Sequence, residues 1–491
     1  MKKKTNRIKP ENPKGFKDYF GNEVIDRDNL LDVIKKVYYR FGFDPLETSA
    51  IEYSKSLGKF LPDIDRPNGG VYSWVDDENY NLSLRYDLTA PLARVFSQFK
   101  NDLPLPYRRY SVGPVWRNEK PGPGRFRQFY QCDADTVGTK SISSDAEMSL
   151  VLKDIFQDLG FSKKDFLIKI NNRKILNGII ELIKDNNSDF NEEQNMVIMR
   201  AIDKYDRLGI EGVKLLLTKG RKDESGDFTL GANLSEMQAQ LVIEFLKSKG
   251  ISNHKTFENM KYLVKTSISG LEGLTELEKI IDICNASEDN SKNIIFDPTI
   301  VRGLGYYTGP VIEAELMKQF VNEKGKTINV GSVAGGGRYD NLVKRFLGQD
   351  IPATGVSIGV DRLLFALNLN KSKNMIEKGP ILVTVIDAKT IITCQNMVDE
   401  LRSAGLRAEL YHGNSKKLGK QLGYADSRNS FLAIIYGEDE QKNNTVQVKD
   451  LNLGNVLSKE LKSNDEWKKN PSQITIKRDD LVKEVKSLLS K

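Results

Sequence analysis

The sequence predicts an α/β protein: an α+β core built on an antiparallel sheet flanked by helices, a helical insertion in that core, and a smaller C-terminal α/β unit. Three observations predict it. Residues 107–138 (YRRYSVGPVWRNEKPGPGRFRQFYQCDADTVG) read as strand, loop, strand. Residues 110–116 and 126–133 are apolar and aromatic, and residues 118–124 carry two prolines and two glycines. Residues 191–290 change texture, with apolar side chains at helical spacing. Beyond residue 380 short apolar runs alternate with amphipathic stretches, the βαβα order of a small α/β unit.

The elements follow in order. Residues 26–39 (DRDNLLDVIKKVYY) place Leu30, Leu31, Ile34, Val37 and Tyr38 at the helical period. Residues 41–53 read as a strand, residues 90–98 and 145–159 as helices. Residues 166–170 form a strand that enters a helix at 173–183. Within the insertion, residues 196–208, 234–247 and 274–286 are helix-like. Strand-like sequence resumes at 294–296 and continues through 301–316, 327–335 and 353–356, pieces that fit one antiparallel sheet with the hairpin. A helix at 360–369, entered at Gly359, closes the core, and residues 371–379 are a polar linker. Past it the expected strands are 381–385, 407–411, 431–435 and 445–448, and the helices 390–404, 416–425 and 479–489. The implied domains are 1–190 and 291–370 for the two parts of the core, 191–290 for the insertion and 380–491 for the terminal unit.

At 491 residues the chain is too long for a single compact core. With 39% hydrophobic and 29% charged residues it has a globular composition, which excludes disordered and membrane classes. No run of about 18 apolar residues is present. The start, MKKKTNRIKPENPKG, is basic without an apolar segment, so a solvated tail is expected and not a secretory signal. Cys132, Cys284 and Cys394 are far apart and odd in number, offering neither a disulfide framework nor a zinc spacing. A reducing, cytoplasmic setting is expected. The net charge of +7 permits a polyanionic partner without requiring one. The chain has two histidines, His254 and His412, neither in a motif, so no histidine-centred catalytic device or metal site is expected.

Chemistry concentrates in the hairpin. Arg117 and Glu119 end its first strand, and Arg125, Arg127, Gln128 and Gln131 follow on the second. Arginines on one side with a carboxylate beside them suit a polyphosphate plus an amino donor. Read alone, the cluster also fits an exposed amphipathic hairpin whose arginines serve solubility. The segment resembles motif 2 of class II aminoacyl-tRNA synthetases, in its histidyl-tRNA synthetase form. Residues 84–89 (LRYDLT), 301–309 (VRGLGYYTG), 335–340 (GGGRYD) and 355–364 (GVSIGVDRLL) resemble that family's other signatures, in the family's order. The RGLxYYTG element is histidine-specific within the class. The helix and strand at 26–53 resemble motif 1, the dimer-building element, with Ser49 where the strand usually carries proline. Residues 380–491 resemble the family's anticodon-binding domain. Their 18 Lys and Arg against 15 Asp and Glu would not have identified it.

The resemblance implies a homodimer without membrane attachment that uses ATP to make histidyl-adenylate from L-histidine. It then transfers the histidyl group to the 3′ end of tRNA(His). Arg117 is expected to bridge the histidine carboxylate and the α-phosphate, and Arg302 to reach that phosphate where relatives use a divalent ion. Glu119 is expected near the adenine amino group or a Mg²⁺ ion, and Arg125 on the outer phosphates. Phe129 and Arg362 should flank the adenine ring. Asp87, with Leu88 and Thr89, is expected at the histidine ammonium, Gln131 at the carboxylate and ammonium end, and Asp135 at an imidazole N–H. Tyr306 and Tyr307 supply hydroxyls and aromatic walls, with Tyr339 a further contact. Gly305 stands where the family usually carries a carboxylate, so either another group orients Arg302 or its loop is looser. The alternative on the same fold is a non-catalytic, histidine-binding regulatory paralogue from histidine biosynthesis. That group lacks the C-terminal domain and loses the ATP-site arginines, whereas Arg117, Arg125, Arg302 and Arg362 are all here.

Overall fold

The stripe at Leu30, Leu31, Ile34, Val37 and Tyr38 is the buried face of α1 (Asn22–Arg40), as its spacing predicts. That helix lies in a computed structural model describing residues 8–57, 70–122, 126–184, 190–222, 226–286, 293–303, 306–321, 327–328, 330–370, 379–451 and 472–490. The chain divides into two units, residues 1–371 and 372–491.

The first unit is organised by one eight-stranded sheet. Its strands are β1 (Asp44–Pro45), β2 (Tyr107–Trp116), β3 (Gln128–Val137), β4 (Phe166–Asn172), β5 (Ile294–Phe296), β6 (Pro310–Leu316), β7 (Gly331–Arg338) and β8 (Ala353–Gly359). They lie in the order β1-β2-β3-β8-β7-β6-β4-β5. The six central strands pair antiparallel, and the two edge strands pair parallel to their neighbours. β2 and β3 are the predicted hairpin, with β3 running on to Val137. α1 and α3 (Ile142–Asp158) cover the sheet, where Ile34, Val37, Ile155, Phe156, Phe166 and Ile168 are fully buried. α2 (Thr89–Gln98) starts on the last residue of the LRYDLT segment, and α10 (Val360–Asn370) begins with VDRLL.

Several expectations are corrected. Residues 41–53 do not form one strand. Pro45 lacks an N–H to donate, and Asp44–Pro45 is confined to the sheet edge. Ile51–Tyr53 instead joins a separate three-stranded sheet with Asn81–Leu84 and Ser73–Val75. Nor is 301–316 strand throughout: it becomes one only at Pro310, after a loop in which Gly303 adopts φ 67°. The expected solvated tail is also partly ordered. Residues 1–7 lie outside the described residues, but the backbone N–H of Arg127 donates to the Gly15 carbonyl (2.8 Å) and Tyr19 Oη donates to Asp361 Oδ1 (2.7 Å).

The middle of the unit is largely helical. α4 (Arg173–Lys184) leads to α5 (Glu192–Asp203) and α6 (Tyr205–Leu217), so the single helix expected at 196–208 is two. α7 (Glu236–Lys247), α8 (Asn253–Leu263) and α9 (Ile268–Asn285) complete it. Capping boxes start α5 at Asn191 with Gln194 and α7 at Ser235 with Gln238, two reciprocal side chain–backbone pairs that fix the helix starts.

The second unit has its own five-stranded sheet, of β9 (Ile381–Val383), β10 (Ala408–Leu410), β11 (Leu432–Ile435), β12 (Thr445–Asp450) and β13 (Gln473–Lys477), in the order β10-β9-β11-β12-β13. Its first three strands are parallel and its last two antiparallel. α11 (Ile391–Ser403), α12 (Leu418–Ser427) and α13 (Leu481–Leu489) flank it, with Met397, Val398, Leu401, Ile434 and Val485 in a separate core. β13 was not foreseen. The expected linker at 371–379 lies outside the described residues, apart from Gly379.

Candidate active site

Alternation along β3 puts Phe129, Gln131, Asp133 and Asp135 on one face of the sheet. A cavity of about 830 Å³ opens over the first three of these. Opposite them on β8 the register sets Gly359 beside Gln131, Ser357 beside Asp133 and Gly355 beside Asp135. Glycine is required at Gly355, because a β-carbon there would overlap the Asp135 carboxylate. On β2, Gly113 leaves room for the Arg85 guanidinium, which donates to the carbonyls of Pro114 (2.9 Å) and Thr48 (2.8 Å) and ties the LRYDLT segment to the hairpin.

One end of the cavity is cationic. Arg117 lies over the Tyr86 ring (4.4 Å) and the Phe129 ring (5.1 Å), and its Nε donates to the Tyr86 carbonyl (3.2 Å). Tyr86 Oη in turn donates to Glu119 Oε1 (2.7 Å). Arg362, three residues past the end of β8, donates to the Ser332 carbonyl (2.6 Å). Arg302 pairs with Glu313 on β6, its Nη2 lying 2.6 Å from Oε1. Asp361 joins the two halves of this end. Its Oδ2 accepts the Tyr130 backbone N–H (2.8 Å) while Oδ1 accepts from Tyr19.

The other end is acidic and aromatic. Asp87 Oδ1 accepts the backbone N–H groups of Thr89 (3.1 Å) and Ala90 (2.8 Å), fixing its carboxylate at the start of α2. Gln131 Nε2 donates to Ser357 Oγ (2.9 Å), Ser357 Oγ donates to Asp133 Oδ1, and Thr89 Oγ1 donates to Asp133 Oδ2 (3.4 Å). Burial first, and the neighbouring Asp135 second, push Asp133 up to about 7. Tyr306 meets Tyr307 edge-on (4.9 Å) and stacks on Tyr339 (5.2 Å). Asp135 lies behind that wall. It pairs with the fully buried Arg109 (2.8 Å) and accepts from Tyr339 Oη, and burial raises its pKa against the pull of Arg109.

The cavity therefore brings together Asp87, Thr89, Arg117, Glu119, Phe129, Gln131, Arg302, Tyr306, Tyr307 and Arg362 of the predicted set. Leu88, Asp135 and Tyr339 are not in its wall. Leu88 turns its carbonyl to Arg109 (3.1 Å), and the other two buttress the tyrosines from behind. Arg125 and Gly305 lie outside the described residues. The sequence reading missed Asp133, Ser357, Tyr86 and Asp361, all of which line the cavity. Strand parity was the available signal for Asp133, which sits between Gln131 and Asp135 on their face. Neither histidine lines the cavity. Among the described residues no group of three or more His, Cys, Asp or Glu side chains is placed to hold a metal ion.

An antiparallel sheet whose arginine-bearing hairpin and arginine-bearing closing helix share one cavity defines the class II aminoacyl-tRNA synthetases. Within that class, the family described as histidyl-tRNA synthetase matches residues 15–363, and the anticodon binding domain matches residues 380–488. The chain is 53% identical to a histidine–tRNA ligase of Dinoroseobacter shibae, covering 100% of this chain and 99% of the relative. It is 52% identical to one of Roseobacter denitrificans, covering 99% and 98%. The solved histidyl-tRNA synthetase of Nostoc sp. PCC 7120 superposes with a TM-score of 0.75 at 29% identity, covering 98% of this chain and 100% of that one. This chain belongs to the histidyl-tRNA synthetase family.

Proposed function

We propose that the chain activates L-histidine with ATP, forming histidyl-adenylate and diphosphate, and transfers the histidyl group to the 3′ end of tRNA(His). One observation carries this reading: a single cavity holds Arg117, Arg302 and Arg362 at one end and Asp87, Gln131 and a tyrosine wall at the other. The histidine carboxylate is already ionised, so its attack on the α-phosphorus needs preplaced positive charge more than a general base. Arg117 and Arg302 supply it where negative charge accumulates, and diphosphate leaves toward Arg362 and, by its place in motif 2, Arg125. Phe129 offers a flat surface to the adenine. Asp87 takes the ammonium with Thr89, Gln131 the carboxylate and ammonium end, and Tyr306 and Tyr307 enclose the imidazole. Asp135 and Tyr339 hold the tyrosine wall. A site whose buried polar groups go unpaired with the wrong side chain rejects near-isosteres by about 10⁴ or more.

Magnesium fits here as an ion carried on the ATP phosphates, with Glu119 the carboxylate at that end, because the described residues offer no cage of their own. When bound it would neutralise phosphate charge. The expected partners are tRNA(His), through residues 380–488, and a second copy of the chain, in the cytoplasm. Among the described residues no helix is long and apolar enough to cross a membrane. ATP–diphosphate exchange with each of the twenty amino acids tests the proposal. Histidine alone should support exchange. Histidine binding without any exchange would establish the regulatory reading instead.

A further inference from the structure

Arg302 stands in the wall between two cavities. One is the 830 Å³ site above. The other, about 370 Å³, opens on the helical side and is lined by Asp203 at the end of α5, Asp206 in α6, Thr299, Glu313 and Arg302 itself. An arginine on a glycine-containing loop, half-exposed and offered carboxylates on the side away from the substrates, has two directions to point. Its backbone is held, since Arg173 Nη2 donates to the Arg302 carbonyl (3.1 Å). Its guanidinium needs an anchor of its own, and position 305 brings a glycine.

We infer that Glu313 is the residue that positions Arg302 for adenylate formation, supplying from strand β6 the carboxylate that residue 305 lacks; this rests on the role given to Arg302 above. Glu313 is 1% exposed and lies in the middle of β6, paired on both sides, to β4 and to β7, so its carboxylate has little freedom to move. Its Oε1 lies 2.6 Å from Arg302 Nη2. Burial raises the Glu313 pKa, and Arg302 and Ser332 oppose that shift, so the charge that holds the arginine is itself maintained by the arginine. A charge fixed on a rigid strand and reaching a loop residue is the arrangement that preorganises a transition-state contact. Glu313 does not line the substrate cavity, so it acts through Arg302 and not on substrate.

A double-mutant cycle on the full chain, read by ATP–diphosphate exchange, tests this. Arg302→Ala should lower kcat by about 10²–10³ with histidine binding largely kept. Glu313→Gln keeps the shape and removes the charge. It should lower kcat by about 10- to 100-fold through misplacement of the guanidinium, with the KM for histidine nearly unchanged. In the double variant Glu313→Gln should add almost nothing, because its target is gone. Glu313→Gln at wild-type rate beside a crippled Arg302→Ala overturns this inference and leaves the role of Arg302 standing. Additive losses overturn it too, since Glu313 would then act elsewhere. An unimpaired Arg302→Ala overturns the reading of Arg302 and this inference with it. Melting curves accompany each variant. Should Glu313→Gln fail to fold, Glu313→Asp takes its place in the cycle, with a smaller kcat loss that again vanishes without Arg302.

Discussion

Two aspartates at the acidic end differ in what already holds them, and that decides what each variant should do. Asp87 uses Oδ1 to hold the first turn of α2, and Oδ2 takes no part in that. Asp87→Asn keeps the acceptor and loses the charge. The KM for histidine should therefore rise roughly 10- to 100-fold, the range for a hydrogen bond to a charged group, with less change in kcat. An unchanged KM would place the ammonium elsewhere. Asp133 is a carboxyl that burial and Asp135 push up to about 7. Its native pKa lies above that of an unfolded aspartate, so its stabilising contribution is full below about pH 4 and is lost as pH rises through 7. Substrate binding runs the other way, because an ammonium favours the ionised carboxyl. Histidine affinity should rise between about pH 6 and 8, and Asp133→Asn should flatten that rise, measured as the variant's difference from wild type so that the imidazole's own titration cancels. An equal rise in Asp133→Asn would remove Asp133 from the ammonium's surroundings. This distinction was not legible in the sequence. Asp133 and Asp135 share a residue type and a strand face, and only the residues brought opposite them, Ser357 and Arg109, decide which carboxyl faces the cavity. Arg117, Arg302, Arg362 and Asp87 were legible because each sits inside a spaced signature.

At the scale of elements, the least foreseeable piece is the segment before α1. It has no periodicity, and its basic residues read as a solvated tail. Folded, it bridges both elements assigned to ATP. Gly15 accepts from the Arg127 backbone, while Tyr19 reaches Asp361, which in turn accepts the Tyr130 N–H and immediately precedes Arg362. Arg27 of α1 lies over the Tyr130 ring (4.5 Å) and closes the cluster. Burial, then Asp361, raises the Tyr19 pKa, which keeps the phenol a proton donor across the working range. Tyr19→Phe deletes that donor while keeping the ring. The KM for ATP should rise by about 2- to 10-fold, the worth of one ordinary hydrogen bond, and the KM for histidine should stay where it is. Equal shifts in both constants would mean a general loosening of the core. The elements that were legible, α1, the hairpin and α10, carry a period or a motif. Residues 41–53 were misread because composition does not show that Pro45 confines one strand to an edge while Ile51–Tyr53 pairs in another sheet.

For the whole molecule, the sequence separates two kinds of work along the chain, and the fold gives each its own interior. Every residue assigned to adenylation precedes residue 371, in a unit whose core runs from Leu30 to Ala366. The region matching an anticodon binding domain has a separate sheet and a separate core from Ile381 to Val485. Two cores imply that one unit folds when the other is removed. A chain ending near Lys373 should therefore still catalyse histidine-dependent ATP–diphosphate exchange at close to the full-length rate. The dimer proposed above should persist, since α1 and β1, in the motif 1-like segment, lie in the retained part. It should lose most charging of tRNA(His), because affinity for a polyanion of that size comes from phosphate and single-stranded base contacts that the second unit would supply. The two assays must be run on the same folded preparation, because lost exchange and lost charging mean different things. Charging at the full-length rate would show that residues 380–488 are not needed to hold the tRNA. Lost exchange in a folded dimer would instead show that the second unit supports the adenylation site, and that the division at residue 371 does not separate the two functions.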